Sequence, residues 1–307
     1  MWPVLAALCS TLAAPFITLA ATSAPPPSLP IALEEDAWRP LLDCADSTLQ
    51  RRLNDELSRR PEWLALVRVG ELAVGLVDLT EIEAPRFAQV NGDTMMSAAS
   101  LGKIAILLAA HQSLAEGKLQ RSSVLDRDLH GMIRASSNEP ATRVIDRLGA
   151  GKVGLQRIAS VLVQPRYRLF DPERGGGLWV GSRYPPQGDS LPDPLHGLLH
   201  AANATQTCRF YYLLATGRLV DFEHSKSMLE ALVQPGLNTK FVRALTPSTN
   251  PRNIYRKSGT WGRYHADSVL VWDATRRYIA VAIAEDQDGE ALLTELLPAL
   301  ERALGIH

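Results

Sequence analysis

The sequence lacks an excess of charge of either sign, because 32 lysines and arginines stand against 33 aspartates and glutamates. These charges are spread along the chain, with neither the basic stripe of a nucleic-acid-binding surface nor an acidic tail. We therefore expect no nucleic-acid partner. No internal repeat is visible, and 307 residues are enough to bury a large core, as one domain of two lobes or as two small domains.

Charged residues are missing altogether from residues 1–24. This mostly apolar segment ends in small residues before Pro25-Pro26-Pro27, a pattern typical of an export signal. Because it also lacks the usual cationic start, an uncleaved membrane anchor is the alternative. We predict a signal peptide at 1–24, a proline-rich linker at 25–30 and a secreted or periplasmic domain at 31–307, with no stable membrane span once the signal is removed.

Cysteine is scarce, with three residues in the whole chain. Cys9 lies inside the predicted signal, which leaves Cys44 and Cys208 in the exported part. Such a pair can form a disulfide where thiols oxidise, and two separately buried thiols are the alternative. The sequence does not give the distance that would decide between them.

Apolar runs of strand length lie near both ends of the chain, and helical patterns lie between them. The predicted strands are 63–69, 71–78, 254–261, 266–272 and 278–284. Terminal helices are predicted at 31–58 and 288–304, and helices of the middle at 97–119, 125–135, 139–148, 155–161, 199–217 and 224–232.

This order of elements predicts an α+β fold with one five-stranded antiparallel sheet, built from both chain ends and flanked by the terminal helices. We place the α/β lobe at about 31–90 and 240–307, and an inserted all-helical lobe at about 97–235. A cleft between two lobes is the default place for a ligand.

A serine and a lysine stand three residues apart where an apolar helix begins, at Ser100 and Lys103. This step puts the hydroxyl and the amine on one face of the helix. Burial and the helix dipole both lower the pKa of such an amine, so that it can take the proton of the serine. Alone, the S-x-x-K pattern is weak, since roughly one occurs by chance in a chain of this size.

Two further motifs follow in order, Ser136-Ser137-Asn138 between helices and Lys257-Ser258-Gly259 in a strand before a hairpin. With S-x-x-K, they resemble the S-x-x-K, S-D-N and K-T-G set of class A β-lactamases and penicillin-binding proteins. Residues 87–100 (FAQVNGDTMMSAAS) and 136–149 (SSNEPATRVIDRLG) also resemble the family around these motifs. The resemblance extends over about residues 40–305.

The resemblance implies a role for each matching residue. Ser100 would attack the substrate carbonyl and Lys103 would take its proton. Ser136 would pass a proton to the leaving nitrogen, and Asn138 would bind the substrate amide. Ser137 departs from the family, which has an acidic residue there, so the hydrogen bonds of this loop should differ.

The strand motif would hold the substrate. By the same resemblance, Lys257 and Ser258 would bind a carboxylate, and Gly259 would let the substrate backbone approach closely. Thr260 would offer its backbone N–H to the oxyanion, beside that of Ser100. Arg263 is a candidate for neutralising the carboxylate, with a solvated hairpin arginine as the alternative.

The largest departure of this sequence from the family concerns the step that removes the acyl group from the serine. Class A β-lactamases activate water with a loop glutamate in an E-x-x-L-N setting, and Glu173 lies at about the right separation from Ser136. Arg174-Gly175-Gly176 follows it instead of the leucine and asparagine. Glu173 is therefore the candidate base, with a solvated loop glutamate as the alternative.

His196 and His200 have a four-residue spacing that can bind zinc on a helix, yet Gly197 weakens the helix and no glutamate lies between them. We favour structural roles, with a contribution to water activation left open. No metal and no organic cofactor is expected.

The resulting hypothesis is a serine hydrolase that opens a β-lactam or related amide through an acyl-enzyme on Ser100, acting as a monomer on a small-molecule β-lactam or a cell-wall peptide. Two alternatives remain. One is a penicillin-binding-protein-like D-Ala-D-Ala peptidase, an amidase or an esterase. The other is a sensor that binds β-lactams or peptidoglycan without turnover.

Overall fold

A computed structural model of the chain describes residues 28–306. The predicted signal peptide and the first part of the linker lie outside these residues. Within residues 28–306, no helix is long and apolar enough to cross a membrane.

The described residues form ten α-helices and ten β-strands. The helices are α1 Ser47–Ser58, α2 Pro61–Val69, α3 Lys103–Ala115, α4 Ser123–Arg134, α5 Asn138–Leu148, α6 Lys152–Leu162, α7 Ala204–Ala215, α8 Phe222–Leu232, α9 Lys240–Leu245 and α10 Gly289–Leu304. The strands are β1 Leu72–Asp78, β2 Arg86–Val90, β3 Met96–Ser97, β4 Phe170–Asp171, β5 Gly176–Gly177, β6 Trp179–Val180, β7 His200–Ala202, β8 Ile254–Trp261, β9 Tyr264–Trp272 and β10 Arg277–Glu285.

The main sheet has five antiparallel strands in the order β2-β1-β10-β9-β8. Strand β1 comes from the start of the chain and pairs with β10 from its end, with Leu72 opposite Ala284. The predicted α+β fold, with one antiparallel sheet made from both chain ends, is confirmed. Strand β8 forms one edge of this sheet and is the strand that carries Lys257-Ser258-Gly259.

Side chains of β1 alternate between two hydrophobic cores, one on each face of the sheet. Ala73 and Val77 join the core shared with the helical lobe, whereas Val74 and Leu76 join a second core with α1, α9 and α10. All seven residues of β1 are buried. The sheet is therefore covered on both faces, which explains why its central strands are mostly apolar.

The prediction of a strand at 63–69 is wrong, because these residues form helix α2. Pro61 occupies the first turn of the helix, where its missing N–H costs nothing. Gly70 ends the helix with φ of 78°, in the left-handed region that glycine adopts most easily. Besides β10, the strand that pairs with β1 is β2, which follows β1 in the chain after a turn.

The helical lobe is organised around α3, which is buried along most of its length. A short 3₁₀ turn, Ala99–Gly102, leads into this helix and lies against the edge strand β8 and the small strand β7. The predicted helix at 199–217 is wrong in its first part, since His200 lies in β7 and α7 begins only at Ala204. The fold thus brings the start of α3 to the border between the lobes.

Candidate active site

Ser100 lies in the 3₁₀ turn just before α3, half-buried at the wall of a cleft with a volume of about 390 Å³. The residue before it, Ala99, has φ of 47°, which is strained for a residue with a side chain. The strained turn presents the serine toward the cleft. The cleft is lined by Ser97, Ala99, Ser100, Asn138, Tyr184, Pro185, Pro186, Gly197, Leu198, Leu199, His200, Thr260, Trp261 and Tyr264.

Lys103 is fully buried beneath this turn. Its Nζ donates hydrogen bonds to the carbonyl of Ser136 at 2.6 Å and to Oδ1 of Asn138 at 2.8 Å. The amine also lies 4.7 Å from the centre of the Tyr184 ring. Burial lowers the pKa of Lys103 to about 7. A substantial fraction of the amine is therefore uncharged near neutral pH, as a base must be to take a proton.

Ser136 joins the helical lobe to the sheet. It has φ of 57° in the loop between α4 and α5, and its Oγ accepts a hydrogen bond from Lys257 Nζ at 2.8 Å. Burial, together with the charge of Lys103, lowers the pKa of Lys257 well below its usual range. Ser137 precedes α5, and its hydroxyl makes no capping hydrogen bond with this helix. The serine therefore provides no side-chain cap at the position where the family motif has an acidic residue.

Strand β8 packs directly against the serine turn at Gly259. A Cβ on this glycine would lie 2.0 Å from the Ala98 carbonyl oxygen and 2.9 Å from the Ser100 nitrogen. Only glycine fits such an approach of backbone to backbone. The next residue, Thr260, lines the cleft beside Ser100. The two backbone N–H groups named by the resemblance therefore belong to segments in direct contact.

Two buried side chains, one from α9 and one from β8 itself, stabilise the position of this strand. Lys240 donates from Nζ to the carbonyl of Gly259 at 2.5 Å and to Oγ1 of Thr260 at 2.8 Å, and burial lowers its pKa to about 8. Arg256 forms a buried ion pair with Asp267 of the neighbouring strand, with Nε 2.7 Å from Oδ1. The sequence offered no signal for Lys240, which stands alone in a polar stretch.

Two residues expected at the site lie elsewhere. The side chain of Glu173 is 84 % exposed and pairs with Arg168 instead of lining the cleft. Arg263 is also largely exposed at the β8–β9 turn, with Glu71 and Glu285 as its ionic neighbours at 3.6 and 3.4 Å. Glu173 lies in the short 3₁₀ turn that connects the paired strands β4 and β5, and this turn does not line the cleft.

Among the described residues that line the cleft, none is an aspartate or a glutamate. The residue beside Lys103 is Tyr184. Its hydroxyl donates a hydrogen bond to the Ala99 carbonyl at 3.2 Å. His200 stacks on the Tyr184 ring, with ring centres 3.9 Å apart. No local sequence signal marks Tyr184, since a tyrosine before two prolines is not a known catalytic pattern.

The remaining expectations concern cysteine and metal. Cys44 and Cys208 are both buried free thiols, which decides against the disulfide. Burial raises the pKa of the Cys208 thiol, so it behaves as a small apolar side chain.

Within residues 28–306, no group of three or more His, Cys, Asp or Glu side chains is arranged to hold a metal ion. His196 is exposed and does not line the cleft, whereas His200 lies in the cleft wall.

Several solved structures share this fold. The structure of PBP-A is 18 % identical in sequence, with 91 % of this chain and 99 % of that chain covered and a TM-score of 0.57. A class A β-lactamase described as the last common ancestor of Gram-negative bacteria is 17 % identical, with 84 % and 100 % covered and a TM-score of 0.60. A β-lactamase from Sphaerobacter thermophilus is 17 % identical, with 78 % and 94 % covered and a TM-score of 0.56.

At this level of identity the comparison shows the fold alone, and the fold is that of class A β-lactamases and PBP-A. No protein-family model matches the sequence. No curated protein sequence matches it either. The predicted resemblance in fold is confirmed, and the chemistry rests on the geometry of the cleft.

Proposed function

We propose that this protein is an active-serine acyl-transfer enzyme that opens the amide of a β-lactam or a related cell-wall amide through an acyl-enzyme on Ser100. The observation that carries the proposal is Lys103, a buried amine with its pKa lowered to about 7, one helical turn from a serine in the wall of the cleft. A lysine held in this way can activate a hydroxyl near neutral pH without a histidine.

Acylation would begin with transfer of the Ser100 proton to uncharged Lys103, while Oγ bonds to the substrate carbonyl carbon. The oxyanion that forms would accept hydrogen bonds from the backbone N–H groups of Ser100 and Thr260. Asn138 already uses its Oδ1 to accept from Lys103. Its amide nitrogen therefore remains free to donate to the substrate amide.

Ser136 would then protonate the leaving nitrogen as the carbon–nitrogen bond breaks. Because Lys257 donates to Ser136 Oγ, the hydroxyl's own hydrogen points away from Lys257 and is available to the substrate. The proton that Lys103 took from Ser100 then passes to Ser136, whose carbonyl Lys103 already contacts at 2.6 Å, so that Lys103 is uncharged again. The strained backbone at Ser136, with φ of 57°, fixes this hydroxyl between the two lobes.

The charges around the cleft support an anionic substrate. Lys103, Lys257, Lys240 and Arg256 lie in or behind its walls, and no carboxylate is among its described lining residues. Arg256 is already paired with Asp267, whereas the lysine amines attract an anionic ligand when they are protonated, and a bound anion favours that form. Lys257 uses two of its N–H bonds, on Ser136 Oγ and on the Ser258 carbonyl, so a third is free for a substrate carboxylate when the amine is protonated.

The neighbours in structure support the same substrate class. A PBP-A variant has been solved as an acyl-enzyme complex with penicillin G, and the other neighbours are named as β-lactamases. We extend this substrate class to the present chain as part of the proposal. We also propose that the chain is exported from the cytoplasm.

Intact-protein mass spectrometry tests the proposal. The protein is mixed with penicillin G, and in parallel with p-nitrophenyl acetate, and the mass is followed over time. We expect an adduct that maps to Ser100 and is missing in Ser100→Ala. The control is Ser160→Ala, which changes an exposed serine on α6. If the wild-type protein acquires no adduct from either reagent, or if Ser100→Ala still acquires one, the proposal is wrong.

The same cleft supports a second candidate function, a penicillin-binding protein or sensor that keeps its acyl group. The observation that favours it is the lack of a carboxylate among the described lining residues, since class A β-lactamases use a glutamate to activate water. A stable adduct with penicillin G, without release of the opened product, would support this candidate over turnover.

A further inference from the structure

The second half of the proposed reaction needs a base for water, and this inference rests on the proposed acyl-enzyme. The described residues that line the cleft include one imidazole, that of His200, and no carboxylate. Its strand, β7, is bound to the segment before the nucleophile, because the Ala98 N–H donates to the His200 carbonyl at 2.9 Å. His200 and Ser100 therefore line the same cleft from adjoining backbone segments.

The hydrogen bonds of the imidazole identify which nitrogen carries the proton. His200 Nε2 lies 3.0 Å from both the carbonyl oxygen and Oγ of Ser182. A carbonyl oxygen can only accept, and the Ser182 hydroxyl already donates to the Arg183 carbonyl at 3.1 Å. Nε2 must therefore be the protonated nitrogen, which leaves the lone pair of the neutral ring on Nδ1.

Nδ1 makes no hydrogen bond with any residue between 28 and 306. It is also not among the buried polar atoms that lack a partner. It is therefore open to water. A ring held on one side by Ser182, with the other nitrogen free toward solvent, has the arrangement of an oriented general base.

The surroundings keep this ring rigid and uncharged. Tyr184 stacks on it with an angle of 8° between the ring planes. Burial lowers the pKa of His200 below its ordinary 6.5, the charge of Lys103 lowers it further, and the hydrogen bond with Ser182 raises it. Lys103 is the charged group that acts on the ring, and Tyr184 and Ser182 are its polar neighbours.

We propose that His200 is the base that activates the deacylating water, in the role that the loop glutamate has in class A β-lactamases. Nδ1 takes a proton from water while the water oxygen bonds to the carbonyl carbon of the acyl group. The bond from that carbon to Ser100 Oγ then breaks, and the imidazolium returns the proton to Oγ. The free acid leaves, and the enzyme regains its starting protonation state.

The experiment separates acylation from deacylation. Wild type, His200→Asn and the matched control His196→Asn are acylated with penicillin G and with p-nitrophenyl acetate, and both rates are measured by intact-protein mass spectrometry. We expect His200→Asn to form the Ser100 adduct within about 3-fold of the wild-type rate and to lose it ~10²-fold more slowly, the usual size of general-base catalysis. His196→Asn should match wild type, since that side chain is exposed outside the cleft wall.

The pH profile and chemical rescue provide independent readouts. Deacylation of wild type should fall as the pH drops through a value below 6.5, and His200→Asn should lose this inflection while acylation keeps its own near 7. Added imidazole should accelerate deacylation of His200→Ala.

The proposal is overturned if His200→Asn deacylates at the wild-type rate, or if acylation and deacylation slow in parallel, as loss of the stack on Tyr184 alone would cause. A wild-type deacylation rate that does not change between pH 4 and 8 overturns it as well, even if the variants do not fold. Absence of any wild-type adduct would instead remove the proposed function, and this inference with it.

Discussion

Lys257 Nζ and Ser136 Oγ lie 2.8 Å apart although 121 residues separate them in the chain. This contact joins the edge strand of the sheet to the helical lobe, two residues before Asn138 in the cleft wall. The backbone approach at Gly259 makes a second connection of the same kind, between β8 and the Ser100 turn. The geometry of the site therefore depends on how the two lobes are held together, and the following expectations test that dependence.

The rate of acylation should rise with pH around a midpoint near 7. Lys103 has its pKa lowered to about 7 by burial, and only the uncharged amine can take the Ser100 proton. Below the midpoint the amine is protonated and the rate falls about tenfold per pH unit; above it the rate is constant. The initial rate of adduct formation with p-nitrophenyl acetate, measured from pH 5 to 9, checks this. A flat profile over that range would contradict the role of Lys103.

Gly259→Ala should slow acylation by ~10²-fold or more, because the new Cβ would lie 2.0 Å from the Ala98 carbonyl oxygen and must push β8 away from Ser100. The same overpacking should lower the free energy of unfolding by about 1–3 kcal/mol. Gly131→Ala is the control, since a Cβ there meets Pro140 at an ordinary 3.5 Å inside helix α4. Adduct formation and urea unfolding measure the two effects. Equal acylation by both variants would show that the close approach is unimportant.

Glu173→Gln should leave deacylation within about twofold of wild type. The side chain is 84 % exposed and pairs with Arg168 on the surface, and pairs of this kind contribute little. The decay of the penicillin G adduct is the measurement. A tenfold or larger slowing would restore Glu173 as the base and would require its loop to close over the cleft.

Arg256→Met should reduce the free energy of unfolding by about 3–5 kcal/mol, because it leaves the Asp267 carboxylate buried without its partner. Arg263→Met is the matched control. Its guanidinium is 45 % exposed and its ionic contacts lie at 3.4 and 3.6 Å, so we expect a loss below about 1 kcal/mol.

Urea unfolding of the two variants, with Ser100 acylation as a second readout, checks this pair of expectations. Acylation by Arg263→Met should equal that of wild type, since the guanidinium lies outside the cleft wall. A slower reaction of this variant with penicillin G alone, and not with p-nitrophenyl acetate, would return Arg263 to carboxylate binding.

Local sequence patterns were sufficient to predict four of the five strands of the main sheet and one pair of residues in the candidate site, Ser100 and Lys103. Strands β1, β8, β9 and β10 follow from apolar runs bounded by turn residues, and the three-residue step from Ser100 to Lys103 defines a helical face. The strand predicted at 63–69 failed because a short apolar run has no period that separates helix from strand. Pro61 and Gly70, which bound helix α2, were the signals that decide it.

Long-range contacts could not be predicted in this way. The meeting of Lys257 with Ser136 followed only from the resemblance, since no local rule brings distant segments together. The paths of the loops were equally inaccessible, so Glu173 was expected in the cleft where Tyr184 and His200 lie. Lys240 gave no signal because its role depends on carbonyl groups of two strands, β8 and β9, that fold against it.

The pairing of β1 with β10 has a consequence for the timing of activity during synthesis. In the sheet, the edge strand β8 is joined to β1 only through β9 and β10, and within the described residues β10 is followed by one helix. Contacts between such distant segments form slowly. A chain whose synthesis has stopped before β10 would therefore lack the close approach of β8 to Ser100 on which the proposed acylation depends.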